Sequence, residues 1–169
     1  EFARTKNIPY LGLCYGMQLA TIEFMRNVVG KIGANTVEVD SNTKEPVIHI
    51  NPVQQKNMRD NRYGGTMRLG AYDCVLKKGS KVFAAYGKTK ISERHRHRYE
   101  FNNDYREMME KAGLKVVGVN PESNLVEIVE LENHLFFVGT QFHPEFKSRP
   151  MNPHPLFRDF IRATLKRKK

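Results

Sequence analysis

Ile8-Pro9-Tyr10-Leu11-Gly12-Leu13-Cys14-Tyr15-Gly16-Met17-Gln18 is the stretch that decides the fold. An apolar run climbs to a cysteine with a glycine two residues away on each side. An amphipathic pattern follows at once. Met17, Ala20, Phe24 and Val28 form one stripe at helical spacing, and Gly30 and Gly33 end it. The order is strand, sharp turn, helix, with the thiol at the turn, which is the shape of a nucleophile elbow. The elbow residue sits in strained backbone with its side chain exposed. Gly12 and Gly16 are expected to let neighbouring backbone pass without a Cβ clash. The N–H groups and dipole of the following helix favour negative charge, which predicts a lowered thiol pKa. The plain alternative is a small buried cysteine packed in a strand-to-helix turn.

The 169 residues are 40% hydrophobic and 27% charged, which suits one α/β domain with a real core. A net charge of +10 fits three situations: nucleic-acid binding, anionic substrates, or a surface merely solvated by Lys and Arg. Two cysteines, Cys14 and Cys74, form no framework and no C-x-x-C, which disfavours a disulfide scaffold and a zinc site. A thiolate nucleophile suits a reducing, cytoplasmic setting. No apolar run is long enough to span a bilayer, and the residues before the first strand are not expected to be a signal peptide. Residues 1–7 read as the tail of a helix, so the sequence is expected to begin inside a fold.

Residues 34–46 are polar and turn-rich, Val47–Ile50 reads as a short strand, and residues 53–65 read as a long loop. Thr66–Tyr72 alternates as a strand that Cys74–Leu76 continues, and residues 77–80 make a turn. A helix is expected from Asn103, capped by Asp104, with Glu107 three residues on and Gly113 at its end. Leu114–Val119 is a strand, Leu125–Leu131 a half-exposed strand, and Leu135–Gly139 a buried one. A last helix starts at Pro155 with Leu156, Phe157, Phe160, Ile161 and Leu165 on its apolar face, and Lys166–Lys169 reads as a basic tail.

His143-Pro144-Glu145 follows the buried strand, where a catalytic loop belongs in an open α/β sheet. Pro144 biases His143 toward extended backbone, and side chains two apart then project to the same side. Glu145 could orient one imidazole nitrogen and leave the other for a proton on Cys14. Nucleophile, base and orienter are the parts of a triad. Taken alone, the motif reads better as an ordinary loop histidine beside a solvated carboxylate.

Together, Gly12-Leu-Cys-Tyr-Gly-Met-Gln18 and Gln141-Phe-His-Pro-Glu-Phe146 resemble the class I glutamine amidotransferases. Gly64-Gly-Thr-Met-Arg-Leu-Gly70, Glu93-Arg-His-Arg-His-Arg-Tyr-Glu100 with Asn102-Asn103, Leu125–Glu130 and His143–Pro150 narrow the resemblance to the glutaminase domains of CTP synthases. It covers essentially the whole chain. It implies a three-layer α/β/α open sheet, apparently without its N-terminal strands, over residues 1–165, with 166–169 as tail. It also implies glutamine hydrolysis through a cysteine thioester, with Cys14, His143 and Glu145 catalytic. Tyr15 would offer a backbone oxyanion donor, Gln18 would line the pocket, Glu38 would take the substrate ammonium, and Arg98 its α-carboxylate. A second, glycine-rich oxyanion loop is expected upstream of residue 1.

The same resemblance implies no metal or cofactor in this chain. ATP, Mg2+ and the activator GTP would belong with a synthetase domain that aminates UTP to CTP, in a cytoplasmic homo-oligomer without nucleic-acid or membrane partners. Tyr15 stands where leucine is expected, and Val37 and Val39 flank Glu38 less typically. Rival readings are another triad amidotransferase or γ-glutamyl hydrolase, a basic nucleic-acid module, and an inactive regulatory domain. The basic run Arg94–Tyr99 has its own rivals: a nucleic-acid stripe, a two-histidine metal site lacking a carboxylate at ligand spacing, or, Arg98 apart, a solvated strand face.

Overall fold

The computed structural model describes residues 1–50 and 67–167. Its frame is a six-stranded mixed sheet. β1 (Tyr10–Leu13) lies beside β9 (Phe137–Thr140), followed by β8 (Val126–Leu131), β7 (Leu114–Val119), β4 (Arg68–Leu76) and β5 (Lys90–His97). Only β1 and β9 run parallel; the other neighbours in this sheet are antiparallel. Three short strands, β2 (Ala34–Thr36), β3 (Glu45–Ile50) and β6 (Tyr99–Phe101), form a second sheet.

Successive apolar residues of the central strands feed two cores. Val116, Val129 and Phe137 pack on one side, with Met17, Phe24 and Met25 of helix α2 (Tyr15–Asn27). That core also takes Val47 and Ile48 of β3 and Met109 of α4 (Arg106–Lys111). Val117, Ile128 and Val138 pack on the other side, with Val82 and Ala85 of α3 (Lys81–Tyr86) and Leu156 and Ala163 of α5 (Pro155–Arg167). The result is the three-layer arrangement expected of these strands, buried on both faces. A short α1 (Phe2–Thr5) precedes β1. Gly139 matters to this packing: a Cβ there would lie 3.0 Å from Met17 and from Val129, so its absence lets α2 sit close on β9.

Several expectations change. Residues 34–36 are a strand, β2, paired in parallel with β3 despite their polarity. The helix near residue 103 opens with a 3₁₀ turn capped by Asn102, whose Oδ1 accepts from the Asp104 N–H at 3.1 Å, so Asp104 is not the cap. No expectation covers residues 81–86; α3 forms there because Ser80 Oγ accepts from Phe83 N–H and left-handed Gly87 ends the helix. On α5 the inner face is Leu156, Phe160 and Ala163, while Ile161 and Leu165 are 55% and 60% exposed. Lys166 and Arg167 belong to the last turn of α5 rather than to a tail, where positive charge complements the dipole. The expected loop at 53–65 lies outside the described residues.

The largest difference is β8, whose Val126 to Glu130 are all buried. Period-two alternation assigns its glutamates to solvent, but the structure supplies partners. Glu130 caps α3, accepting from the Lys81 and Val82 backbone N–H groups at 3.1 and 3.2 Å. Glu127 accepts from Arg68 Nη2 and bonds His95 Nε2, both at 2.7 Å. Removing one member of such a set strands its partners without water. Glu127→Ala is expected to destabilise the fold by about 3–5 kcal/mol. Denaturant unfolding beside Glu127→Gln, which keeps one acceptor and is expected to lose less, checks this.

Candidate active site

The parallel pairing of β1 and β9 brings the chemistry together. Leu13 lies opposite Thr140, so Cys14 and the run Gln141-Phe142-His143 leave the same end of adjacent strands. The Cys14 N–H donates to the Thr140 carbonyl at 2.6 Å, and the Cys14 carbonyl accepts from Met17 N–H at 3.1 Å, opening α2. Between these bonds Cys14 adopts φ 50°, ψ −103°, a strained backbone for a residue with a Cβ. Gly12 makes the corner possible. A Cβ there would fall 2.6 Å from the Tyr10 hydroxyl and 2.8 Å from the Gly16 carbonyl carbon. Tyr10 uses that hydroxyl to donate to the Gly16 carbonyl at 2.7 Å. Gly16 does not share the role: its Cβ would make only an ordinary 3.5 Å contact.

His143 is anchored by its N–H to the Arg94 carbonyl at 2.9 Å. A 3₁₀ turn, Pro144–Phe146, returns Glu145 to the ring, where Oε1 lies 2.6 Å from Nδ1. The other nitrogen, Nε2, is buried and has no hydrogen-bond partner among the described residues. Glu145 is thus placed to orient the imidazole and leave Nε2 able to accept a proton.

Burial pushes the Cys14 thiol pKa up, and the carboxylates of Glu100 and Glu145 push it the same way. The Tyr15 backbone N–H and the Gln141 amide act in the opposite sense without overcoming burial. The lowered pKa expected from the helix N-terminus is therefore corrected. Desolvation of a thiolate outweighs one turn of helix dipole at this half-buried sulfur. Cys74 is fully buried and its thiol is pushed up further by the same cause.

A cavity of about 560 Å³ opens beside the thiol, with Cys14, Tyr15, Gln18, Glu38, Arg98 and His97 among its walls. All four expected substrate-binding residues are there. Glu38 is presented by a local turn in which its N–H donates to Thr36 Oγ1 at 3.2 Å. His143 and Glu145 are not among the walls. Gln18 is buried: its Nε2 donates to the Tyr99 carbonyl at 3.0 Å and to Gln141 Oε1 at 3.2 Å. Gln141, absent from the sequence-based site, lies with Nε2 3.6 Å from Cys14 Sγ. Its only sequence signal is its place two residues before His143; its reach to Cys14 follows from the strand register.

The basic run on β5 is split by the sheet. Arg94 and Arg96 are exposed, whereas His95 and His97 are buried, which corrects the solvated-face reading for the histidines. The carboxylate beside His95 comes from β8, and the one beside His97 lies three residues on, in β6. Glu127 bonds His95, and Glu100 Oε1 lies 3.7 Å from His97 Nδ1 and 3.4 Å from Arg68 Nη1. Among the described residues no group of three or more His, Cys, Asp or Glu side chains is arranged to hold a metal. Burial, with His95 and Arg68 nearby, pulls His97 down to about 2, and burial pushes Glu100 up to about 8 against the pull of Arg68.

A strained cysteine corner between a three-layer sheet and its helix is how one class of nitrogen-transferring enzymes is built. Residues 1–163 match Glutamine amidotransferase class-I, and the chain belongs to that family. Among curated relatives it is 57% identical to the CTP synthase of Caldanaerobacter subterraneus and 59% identical to that of Symbiobacterium thermophilum. Each match covers 98% of this chain and 30% of the relative, so the chain spans about a third of their length. Among solved structures it resembles the glutaminase domain of Trypanosoma brucei CTPS with bound acivicin. That match has TM-score 0.89 and 41% identity, over 97% of this chain and 62% of that one. A putative GMP synthase component from Thermoplasma acidophilum shares the fold at TM-score 0.59 and 17% identity, over 96% and 60% of the two chains.

The buried pair has a pH signature. Glu100 rises from 4.5 to about 8 on folding, so its contribution favours the folded state below 4.5 and is lost as pH rises toward 8. His97 falls from 6.5 to about 2, so its contribution is present above 6.5 and lost as pH falls toward 2. The two slopes oppose each other between 4.5 and 6.5, and between 6.5 and 8 only that of Glu100 remains. The melting temperature is expected to fall across pH 6.5 to 8 in the parent protein. Glu100→Gln should flatten that fall, as paired melts at each pH would show.

Proposed function

We propose that this chain is the glutaminase part of a CTP synthase, and that Cys14, His143 and Glu145 carry its chemistry. One observation carries this reading. The strained elbow cysteine and a histidine held by its carboxylate leave the same end of adjacent parallel strands, beside a cavity lined by one carboxylate and by arginines.

In this mechanism Cys14 Sγ attacks the γ-carboxamide carbon of L-glutamine. His143 Nε2 takes the thiol proton as the C–S bond forms, and the Tyr15 N–H turns from the sulfur to the developing oxyanion. The tetrahedral species collapses, the C–N bond breaks, and His143 returns the proton to the leaving nitrogen, which departs as ammonia. A γ-glutamyl thioester remains on Cys14. Water, deprotonated by His143, attacks it, glutamate leaves and the thiol is regenerated. Glu145 holds the imidazole in the tautomer whose Nε2 can accept. Glu38 pairs with the α-ammonium and Arg98 with the α-carboxylate, since free glutamine brings one charge of each sign. Gln18 closes the pocket wall.

The ammonia would pass to a synthetase domain for the ATP-dependent amination of UTP to CTP. ATP, Mg2+ and the activator GTP would bind with that domain, in a cytoplasmic homo-oligomer whose pathway is pyrimidine biosynthesis. No described helix is long and apolar enough to cross a membrane. Residues 1–165 form the glutaminase unit on this reading.

Intact-mass labelling with a glutamine-mimicking electrophile tests the proposal. The expected result is a single adduct that excess glutamine suppresses and that Cys14→Ala abolishes. The same variant should lose glutamine hydrolysis by about a thousandfold or more. An adduct shared with Cys74, or one indifferent to glutamine, would overturn the assignment.

A further inference from the structure

Gln141 is fully buried against the reactive sulfur, and the groups that orient it lie on three different elements. The orientation of a side-chain amide is set by its partners. Here the chain of partners ends on a group with no ambiguity, because the backbone carbonyl of Tyr99 can only accept. It accepts from Gln18 at 3.0 Å, so Gln18 must present its nitrogen there. The second hydrogen of that nitrogen goes to Gln141 at 3.2 Å, so Gln141 must present its oxygen to Gln18. Its own nitrogen is then left facing Cys14 Sγ at 3.6 Å. His97 Nδ1 lies 3.1 Å from the same Tyr99 carbonyl and holds it from the other strand.

We infer that Gln141, oriented by Gln18 from the Tyr99 carbonyl, is the side-chain donor that stabilises the anionic form of the Cys14 sulfur. Gln18 is then a positioning residue that acts through Gln141, in addition to the pocket-lining role proposed above. A donor is needed at this place. Glu38, Arg96 and Arg98 share the cavity wall with the thiol. Glu145 after β9 disfavours a thiolate, and Glu100 of β6 joins it once ionised above about pH 8. Burial does the same, and besides Gln141 the group opposing them is the Tyr15 N–H. That N–H is also the proposed oxyanion donor, so it turns away from sulfur as the reaction proceeds. The Gln141 amide belongs to the sulfur throughout, including when the thiolate leaves the thioester. The role in turnover rests on the proposed function; the effect on the thiol does not, since it needs no substrate.

The test follows the pH dependence of Cys14 alkylation by iodoacetamide, with Cys14→Ala subtracted to remove any reaction at Cys74. Gln141→Met keeps the side-chain length and removes the donor. It is expected to raise the thiol pKa by about one unit, which is about a tenfold slower alkylation at pH 7. Gln141→Glu still accepts from Gln18 but meets sulfur with an oxygen, and should slow it further. Gln18→Met should act in the same direction, and combining it with Gln141→Met should add little. Thermal melts identify folded variants, and the near-isosteric Glu substitution keeps the test open if Met disturbs packing. An alkylation profile unchanged in Gln141→Met or Gln141→Glu would overturn the inference, as would full additivity of the two Met variants. A protein with the expected alkylation series but no glutamine hydrolysis would overturn only the proposed function.

Discussion

The backbone corner at Cys14 is the constraint on which the rest of the molecule depends. A residue with a Cβ at φ 50° is held there by bonds on both sides, one into β9 and one into the first turn of α2. Such strain persists only when its surroundings over-determine it. Three features do so. Parallel register sets Thr140 as the acceptor for Cys14 N–H, Gly12 leaves room for Tyr10, and Tyr10 holds the Gly16 carbonyl. The close docking of α2 on Gly139 completes the clamp. Because β1 and β9 are the parallel pair of the large sheet, the corner and the His143 loop emerge side by side. An antiparallel pairing would have sent them to opposite ends.

The sheet bears a second constraint, electrostatic rather than steric. Arg68, His95, His97, Glu100 and Glu127 all lie nearly out of water, on β4, β5, β6 and β8. Replacing such a set by apolar residues is often neutral or stabilising, so raw stability is a weak reason for it to exist. What it does visibly is fix geometry. His97 and Glu100 flank Tyr99, whose carbonyl orients the two glutamines, and Glu100 and Arg98 reach the region of the thiol and the cavity. The network thus ties the strand register of β4, β5 and β8 to the position of groups around Cys14.

How much of this was legible in the sequence depends on distance along the chain. The elbow, the buried strand before His143 and the pairing of His143 with Glu145 are local patterns, and a sequence displays them directly. The family resemblance also pointed to Glu38 and Arg98, which line the cavity. Features set by partners far along the chain were not legible. Alternating glutamates on β8 look solvent-facing until Arg68, His95 and the N-terminus of α3 are placed against them. The carboxylate that bonds the His95 side chain, Glu127, is 32 residues away, so no local pattern displays the pair. Gln141 reaches Cys14 across 127 residues of chain, a contact that only the β1–β9 register reveals.

The thiol pKa is the instructive failure, because the physical principle applied was sound and the balance was not. A helix N-terminus does favour an anion, but its effect is modest beside the desolvation of a half-buried sulfur. A raised pKa is also compatible with the proposed chemistry. In a triad the proton moves to histidine as the nucleophile attacks, so a resting thiolate is unnecessary. A cysteine kept mostly as the thiol reacts slowly with adventitious electrophiles and oxidants, since the thiolate is the reactive form. What such a site needs is stabilisation that grows as charge moves onto sulfur. Hydrogen bonds to charged groups are stronger than those to neutral ones. The Gln141 amide therefore contributes most as charge gathers on sulfur and least in the resting state, while the Tyr15 N–H passes to the oxyanion.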